Sequence, residues 1–232
     1  MKGKLIVIEG NDGSGKTTQL KLLEQYLQSQ NIPVETIDFP RYYDSFYGKL
    51  LARFLKGEFG TLNQVNPYLL SVIFALDRAQ AKKEIEQWLA KGVIVLSNRY
   101  ATSNMAHQAG RVPKNKRKDF VLWDDELEYA INKLPRENVV IFLHVPHKIS
   151  QKLMKGEDRA NRSYLKGKVR DMVEKNKIYL KNAEETYLWL AKKFPHWVTI
   201  RCVNSKGELR PKEDIHAEIK KTLTKKSIIP NT

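Results

Sequence analysis

Leu5-Ile6-Val7-Ile8-Glu9-Gly10-Asn11-Asp12-Gly13-Ser14-Gly15-Lys16-Thr17-Thr18 decides how the rest of this chain is read, because an apolar run enters a glycine-rich turn that opens at once into a helical stretch. Gly10, Gly15, Lys16 and Thr17 fill every fixed position of G-x-x-x-x-G-K-[ST]. A short β-prone strand precedes them and a helix is expected from Gln19 to Gln28. Gly10, Gly13 and Gly15 let the backbone curl so that the N–H groups from Gly10 through Thr18 converge on phosphate oxygens, and the helix N-terminus adds its partial positive charge. In this reading Lys16 contacts the β- and γ-phosphates of ATP, and the Thr17 hydroxyl is a ligand of Mg²⁺. An ordinary strand-to-helix turn would not need Lys-Thr at the helix start.

The chain has 232 residues, 41% hydrophobic and 29% charged, the composition of an ordinary globular protein. One α/β domain over residues 1–224 is expected, followed by a frayed tail over 225–232. Cys202 stands alone, so no internal disulfide framework is expected and a reducing compartment follows. The phosphate loop begins within ten residues of Met1, and no apolar run approaches the roughly 20 residues of a membrane helix. The expectation is a cytoplasmic protein without a membrane partner. A net charge of +15 raises nucleic acid as a partner, yet much of the excess lies in Lys114-Asn115-Lys116-Arg117-Lys118 and Lys220-Lys221, which read as solvated faces. No aromatic-basic signature accompanies it, and a basic surface equally attracts polyphosphates, so nucleic acid is not the expected partner.

Beyond the loop, strand and helix patterns alternate. Strands are expected at 33–39, 93–97, 139–143 and 197–202, and helices at 47–55, from Pro67 to Gly92, at 101–109, 124–134, 147–154, 168–194 and 211–223. On the helix from Pro67, the residues Leu69, Val72, Ile73, Leu76, Ile85, Trp88 and Leu89 are spaced for a buried face. The alternation predicts a three-layer fold of the phosphate-loop NTPase type, a mostly parallel five-stranded sheet flanked by helices. Residues 155–167 are too polar and too long for a routine connection, and an Arg-rich loop in a phosphate-binding protein is a candidate lid.

Further stretches resemble the thymidylate kinases, phosphate-loop kinases of nucleoside monophosphates: Glu9 to Gln19, Phe39-Pro40-Arg41, Phe74-Ala75-Leu76-Asp77-Arg78, and Asn98-Arg99-Tyr100 with Ser103-Asn104 and Gln108. Weaker echoes follow at 171–174 and 207–209. The resemblance spans nearly the whole chain and implies phosphorylation of thymidine monophosphate to the diphosphate by ATP and Mg²⁺, in dTTP synthesis. It leaves room for a homodimer. It also implies that Asp12 reaches toward the sugar hydroxyl and phosphate end of the acceptor, where a carboxylate can orient it. Arg41, Arg78 and Arg99 would converge on one phosphate or on the base edge. Phe74, one turn before Arg78, would stack on thymine, Asn104 would pair with its edge, and His107 falls where many members carry a Tyr beside the sugar C2′. Phe39, Pro40, Ser103 and Gln108 complete the expected acceptor site.

Two departures stand out. The family usually carries Asp where this chain has Asn98, removing a carboxylate expected near Mg²⁺; Glu9 could substitute through a water. Asn11 to Ser14 holds no Arg, and in the subgroup lacking it the lid supplies the cation, here Arg159 and Arg162. With Lys16 and Arg99 these are the expected catalytic residues. A kinase of another nucleoside monophosphate or of a deoxynucleoside would share loop and lid. A nucleic-acid-associated ATPase would use the +15 charge, and a weakly catalytic regulator would fit Asn98.

Overall fold

The computed structural model describes residues 3–156 and 176–230. Its strands β1 (Lys4–Glu9), β2 (Val34–Asp38), β3 (Ile94–Asn98), β4 (Val139–His144) and β5 (Trp197–Arg201) form one sheet in the order β2-β3-β1-β4-β5, every neighbouring pair parallel. Alternation along β1 explains the layering. Leu5 and Val7 join one buried cluster, whereas Ile6 and Ile8 join a second on the opposite face. The first face is covered by α3 (Pro67–Ala90), α4 (Ala101–His107), α5 (Arg117–Asp125) and α7 (Lys177–Lys193); the second by α1 (Lys16–Ser29) and α8 (Lys212–Lys225). Leu23 and Leu27 of α1 have no exposed surface, so truncating either to Ala should cost about 2–5 kcal/mol. A third, smaller cluster ties α2 (Phe46–Leu55) to Leu62, Leu70 of α3 and Tyr179 of α7.

The order in which strands are laid down switches sides beside β1: β2 and β3 lie on one side, β4 and β5 on the other. Ligands bind at the carboxyl ends of strands at such a point. Here β1 and β3 end side by side, with Ile8 in register with Asn98.

Three expectations are corrected. On α3, Ile85 and Leu89 are buried as expected and Ile73 and Trp88 pack half-buried against the core, but Leu69 is 67% exposed, Val72 and Leu76 are half-buried, and Ser71, Asp77 and Arg78 are buried beside Leu70 and Ala75. The first half of the inward face thus carries a polar network that hydrophobic spacing does not mark. The helix placed at 124–134 begins instead at Arg117, where Phe120 and Val121 join the core, and continues into a widened π turn over Glu126–Ile131. The tail does not fray over its described part: Ile229 is buried against the cluster of α1 and α8. The five-stranded sheet is as expected, with every pair parallel among the described residues. The helix α6 (His147–Gly156) runs into the expected lid, of which residues 157–167 lie outside the described residues, with Arg159, Arg162 and the stretch 168–175.

Candidate active site

The phosphate loop leaves β1 at Gly10, whose φ is 147°. A Cβ there would lie 2.6 Å from Ser14 Oγ and 2.7 Å from Leu143 O, so both the backbone angle and the space demand glycine. Gly15, at φ 85°, opens α1 without a side-chain cap, which leaves the first N–H groups of the helix for a ligand. Lys16 curls back so that Nζ donates to Gly10 O at 2.9 Å and Asn11 O at 3.0 Å. Burial, then the Arg99 charge, lowers its pKa to about 7 against the opposing pull of Asp12, Glu9 and Asp38. Asn11 Oδ1 and Ser14 Oγ are buried with no hydrogen-bond partner among the described residues.

Arg99 follows β3 with a left-handed φ of 65°, a strained backbone for a long side chain. Its N–H donates to Ile8 O at 3.0 Å and its carbonyl accepts from Ser97 Oγ at 2.5 Å, which over-determines the turn. Nη2 donates to Asp12 Oδ1 at 2.6 Å; Nη1 reaches Ser103 Oγ at 3.3 Å and His107 Nε2 at 2.9 Å. Burial opposes its charge, but Asp12, Tyr187 and Glu9 hold its pKa well above the usual value. Burial and then Arg99 push His107 down to about 3, so the ring is neutral. Since Nε2 accepts from Arg99, the proton sits on Nδ1 and donates to Tyr179 OH at 2.9 Å.

Glu9 has no exposed surface and accepts from Tyr100 N (3.2 Å), Thr102 Oγ1 (2.7 Å), Ser103 Oγ (2.8 and 2.9 Å) and Tyr187 OH (2.7 Å). This geometry leaves little acceptor capacity for the water-mediated metal role expected of it. Asn98 and Thr17 fit a hard cation better. Asn98 Oδ1 is buried without a partner among the described residues, and Thr17 is exposed at the helix start.

The acceptor wall is built from three elements. After the cis Phe39–Pro40 bond, Arg41 N donates to Asp77 Oδ2 at 2.9 Å, and Asp77 Oδ1 also takes Ser45 Oγ, the cap of α2. Arg41 Nη1 lies 4.0 Å from Glu84, and its side chain is not among those lining the cavity below, where Arg78 and Arg99 do meet. Phe74 and Arg78 project from α3, and Ser103, Asn104, His107 and Gln108 from α4 and its C-cap. Arg78 is buried and ion-paired with Glu128 rather than open on all sides, and Gln108 Oε1 accepts from Arg111 at 2.6 Å. These elements and the loop enclose one cavity of about 450 Å³, which runs from Lys16 and Thr17 past Arg99 to Phe74, Arg78 and Asn104. Donor and acceptor ends therefore share one space. Sequence reasoning missed Tyr179 and Tyr187, which α7 brings to the cavity and to Glu9; their eight-residue spacing on one helix was the available signal. Glu128 and Asp124 gave no signal, since their partners are far away in the chain.

The family model described as thymidylate kinase matches residues 8–219. A thymidylate kinase of Plasmodium falciparum is 33% identical over 230 residues, 99% of this chain and 93% of that one. The thymidylate kinase of Mycobacterium tuberculosis is 34% identical over 188 residues, 81% and 85% of the two chains. A solved thymidylate kinase from Candida albicans shares the fold with a TM-score of 0.73 at 16% identity, covering 100% of this chain and 96% of its own.

Proposed function

The chain belongs to the thymidylate kinase family and is an ATP-dependent nucleoside monophosphate kinase that phosphorylates thymidine monophosphate, and on that premise we propose how its residues divide the work. ATP lies with its β- and γ-phosphates on Gly10 to Thr18, in reach of Lys16, and the orphaned Ser14 hydroxyl finds an acceptor there. Thr17 and Asn98 Oδ1, which has no partner among the described residues, would hold Mg²⁺, which would supply neutralisation of charge on the transferring group. Arg99, fixed by Asp12, Ser103 and His107, orients the acceptor phosphate. Asp12 also faces the sugar, Phe74 stacks on the base, and Arg78 and Asn104 read its edge. Phe39, Pro40 and Gln108 shape the pocket, and Arg41 adds charge beside it. No general base is required, because the attacking phosphate oxygen is already ionised. Arg159 and Arg162 supply the lid cation on sequence grounds.

The observation that carries this reading is the single cavity joining the phosphate loop to Phe74, Arg78 and Asn104. The net charge of +15 then serves anionic nucleotides. No described helix is long and apolar enough to cross a membrane, and we place the protein in the cytoplasm on its nucleotide substrates and its single, buried free thiol. Leu69, Val72 and Leu76 leave apolar surface on one face of α3, which supports a homodimer, testable by sedimentation.

The test of the acceptor assignment is kcat/KM for thymine, uracil and cytosine monophosphates. Thymine over uracil should be limited to roughly 10- to 200-fold, one methyl group's worth. Cytosine should be rejected more firmly. Asn104→Ala should narrow the thymine-to-cytosine ratio, and Phe74→Ala should weaken all bases alike; an unchanged ratio in Asn104→Ala would place base reading elsewhere.

A further inference from the structure

Glu128, on the widened turn after α5, has no exposed surface. Both of its oxygens accept from Arg78 Nε at 3.1 Å, and Oε1 also accepts from Arg78 Nη2 and, at 3.2 Å, from Asn104 Nδ2. That same Nδ2 faces Ser71 O at 3.1 Å and Asp124 Oδ1 at 3.4 Å. Every neighbour of this end of the amide is an acceptor. Chemistry alone therefore sets its orientation, since an amide oxygen there would meet three oxygens.

What remains is one free atom on each side chain. Asn104 Oδ1 and Arg78 Nη1 have no partner among the described residues, and both side chains line the cavity. One is an acceptor and the other a donor. Thymine offers the complement, an N3–H donor and an O4 acceptor; cytosine presents an acceptor N3 and a donor amino group, and so opposes both.

We propose that Glu128 is the positioning residue that sets base selectivity, because by engaging Nε and Nη2 of Arg78 together with Nδ2 of Asn104 it turns a donor and an acceptor toward the base in the thymine pattern. The inference rests on the base-reading role given above to Arg78 and Asn104. Asp124 also faces the Asn104 amide, and burial and then Glu128 raise its pKa well above the usual carboxylate value.

Glu128→Gln separates this role from a merely structural ion pair. The Gln oxygen takes the place of Oε1, which serves Arg78 Nη2 and Asn104 Nδ2 together, so its NH₂ takes the place of Oε2, meets the Arg78 Nε donor and turns the guanidinium out of place. The thymine-to-cytosine ratio of kcat/KM should then fall about tenfold or more, because thymine loses the donor to its O4 while cytosine loses the clash of that donor with its amino group. Equal losses for both bases, with the wild-type ratio kept, would overturn the proposal. Should Glu128→Gln fail to fold, Glu128→Asp keeps the charge but draws the shared oxygen back from Arg78 and Asn104 together; a several-fold fall supports the inference and a wild-type ratio overturns it. Asn104→Ala, run in parallel, tells the two levels apart. An unchanged ratio there removes the base reading and this inference with it, whereas a narrowed ratio beside a wild-type-like Glu128→Gln removes only the role of Glu128.

Discussion

Arg99 reaches across the phosphate loop and donates from Nη2 to the Asp12 carboxylate at 2.6 Å, joining the end of β3 to the middle of the loop that follows β1. Because Nη1 is simultaneously held by Ser103 and His107, the guanidinium plane is fixed before any substrate arrives. Arg99→Lys keeps the charge and loses the fork. Its kcat/KM for thymidine monophosphate should drop by about 10²-fold or more, with a smaller change in the KM for ATP. Steady-state kinetics in both substrates checks this; equal loss in both would move Arg99 out of the acceptor site.

Lys16, with a pKa lowered to about 7 by burial and by Arg99, is partly neutral near pH 7. A bound triphosphate favours its charged form, so binding should take up a proton around pH 7 to 8, and nucleotide affinity should fall as the pH rises above 7. Calorimetry in buffers of different ionisation enthalpy measures the uptake. Lys16→Met should abolish it, and a buffer-independent enthalpy in the wild type would contradict the assignment.

Glu184 staples the base of α6 to α7, accepting from His147 N at 3.0 Å and pairing with His144 at 2.9 Å and His147 Nδ1 at 2.6 Å. Partial burial would raise its pKa, but these hydrogen bonds win and lower it to about 2. A carboxylate depressed in the folded state stabilises above its ordinary value of 4.5, and that contribution disappears as the pH falls through about 2. Glu184→Gln should therefore lower the Tm near neutral pH, and the gap from wild type should close in strong acid. A gap that persists at about pH 2 would show that Glu184 acts through packing instead.

Much of this was legible in the chain. The phosphate loop and the five strands follow from local motifs, because loop chemistry and buried parallel strands are written in consecutive residues, whereas the resemblance to the thymidylate kinases is what pointed to Phe74, Asn104 and His107, which line the cavity. On α3 the expected burial of Ile85 and Leu89 holds, but the first half escapes the hydrophobic pattern because its inner face presents Asp77 and Arg78, whose partners Ser45 and Glu128 lie 32 and 50 residues away. Long-range pairing of that kind leaves no periodicity. The same holds for Glu9, whose filled hydrogen-bond shell draws on Thr102, Ser103 and Tyr187.

Asn11 to Ser14 carries no cation, and the lid arginines are expected to meet the transferring phosphoryl group. The Arg159→Ala, Arg162→Ala double variant should lose about 10³-fold in kcat with a smaller rise in the KM for thymidine monophosphate. Single-turnover rates beside steady-state constants separate chemistry from binding. A kcat like that of the wild type would remove both residues from catalysis.

The most direct measurement of the central claim follows ADP and thymidine diphosphate together, using purified protein with ATP, Mg²⁺ and thymidine monophosphate. The two products should appear in equal amounts, ADP formation should stop when the monophosphate is left out, and Lys16→Ala should abolish both without lowering the Tm enough to unfold the protein. ADP released without thymidine diphosphate, and more of it when DNA is added, would contradict the account.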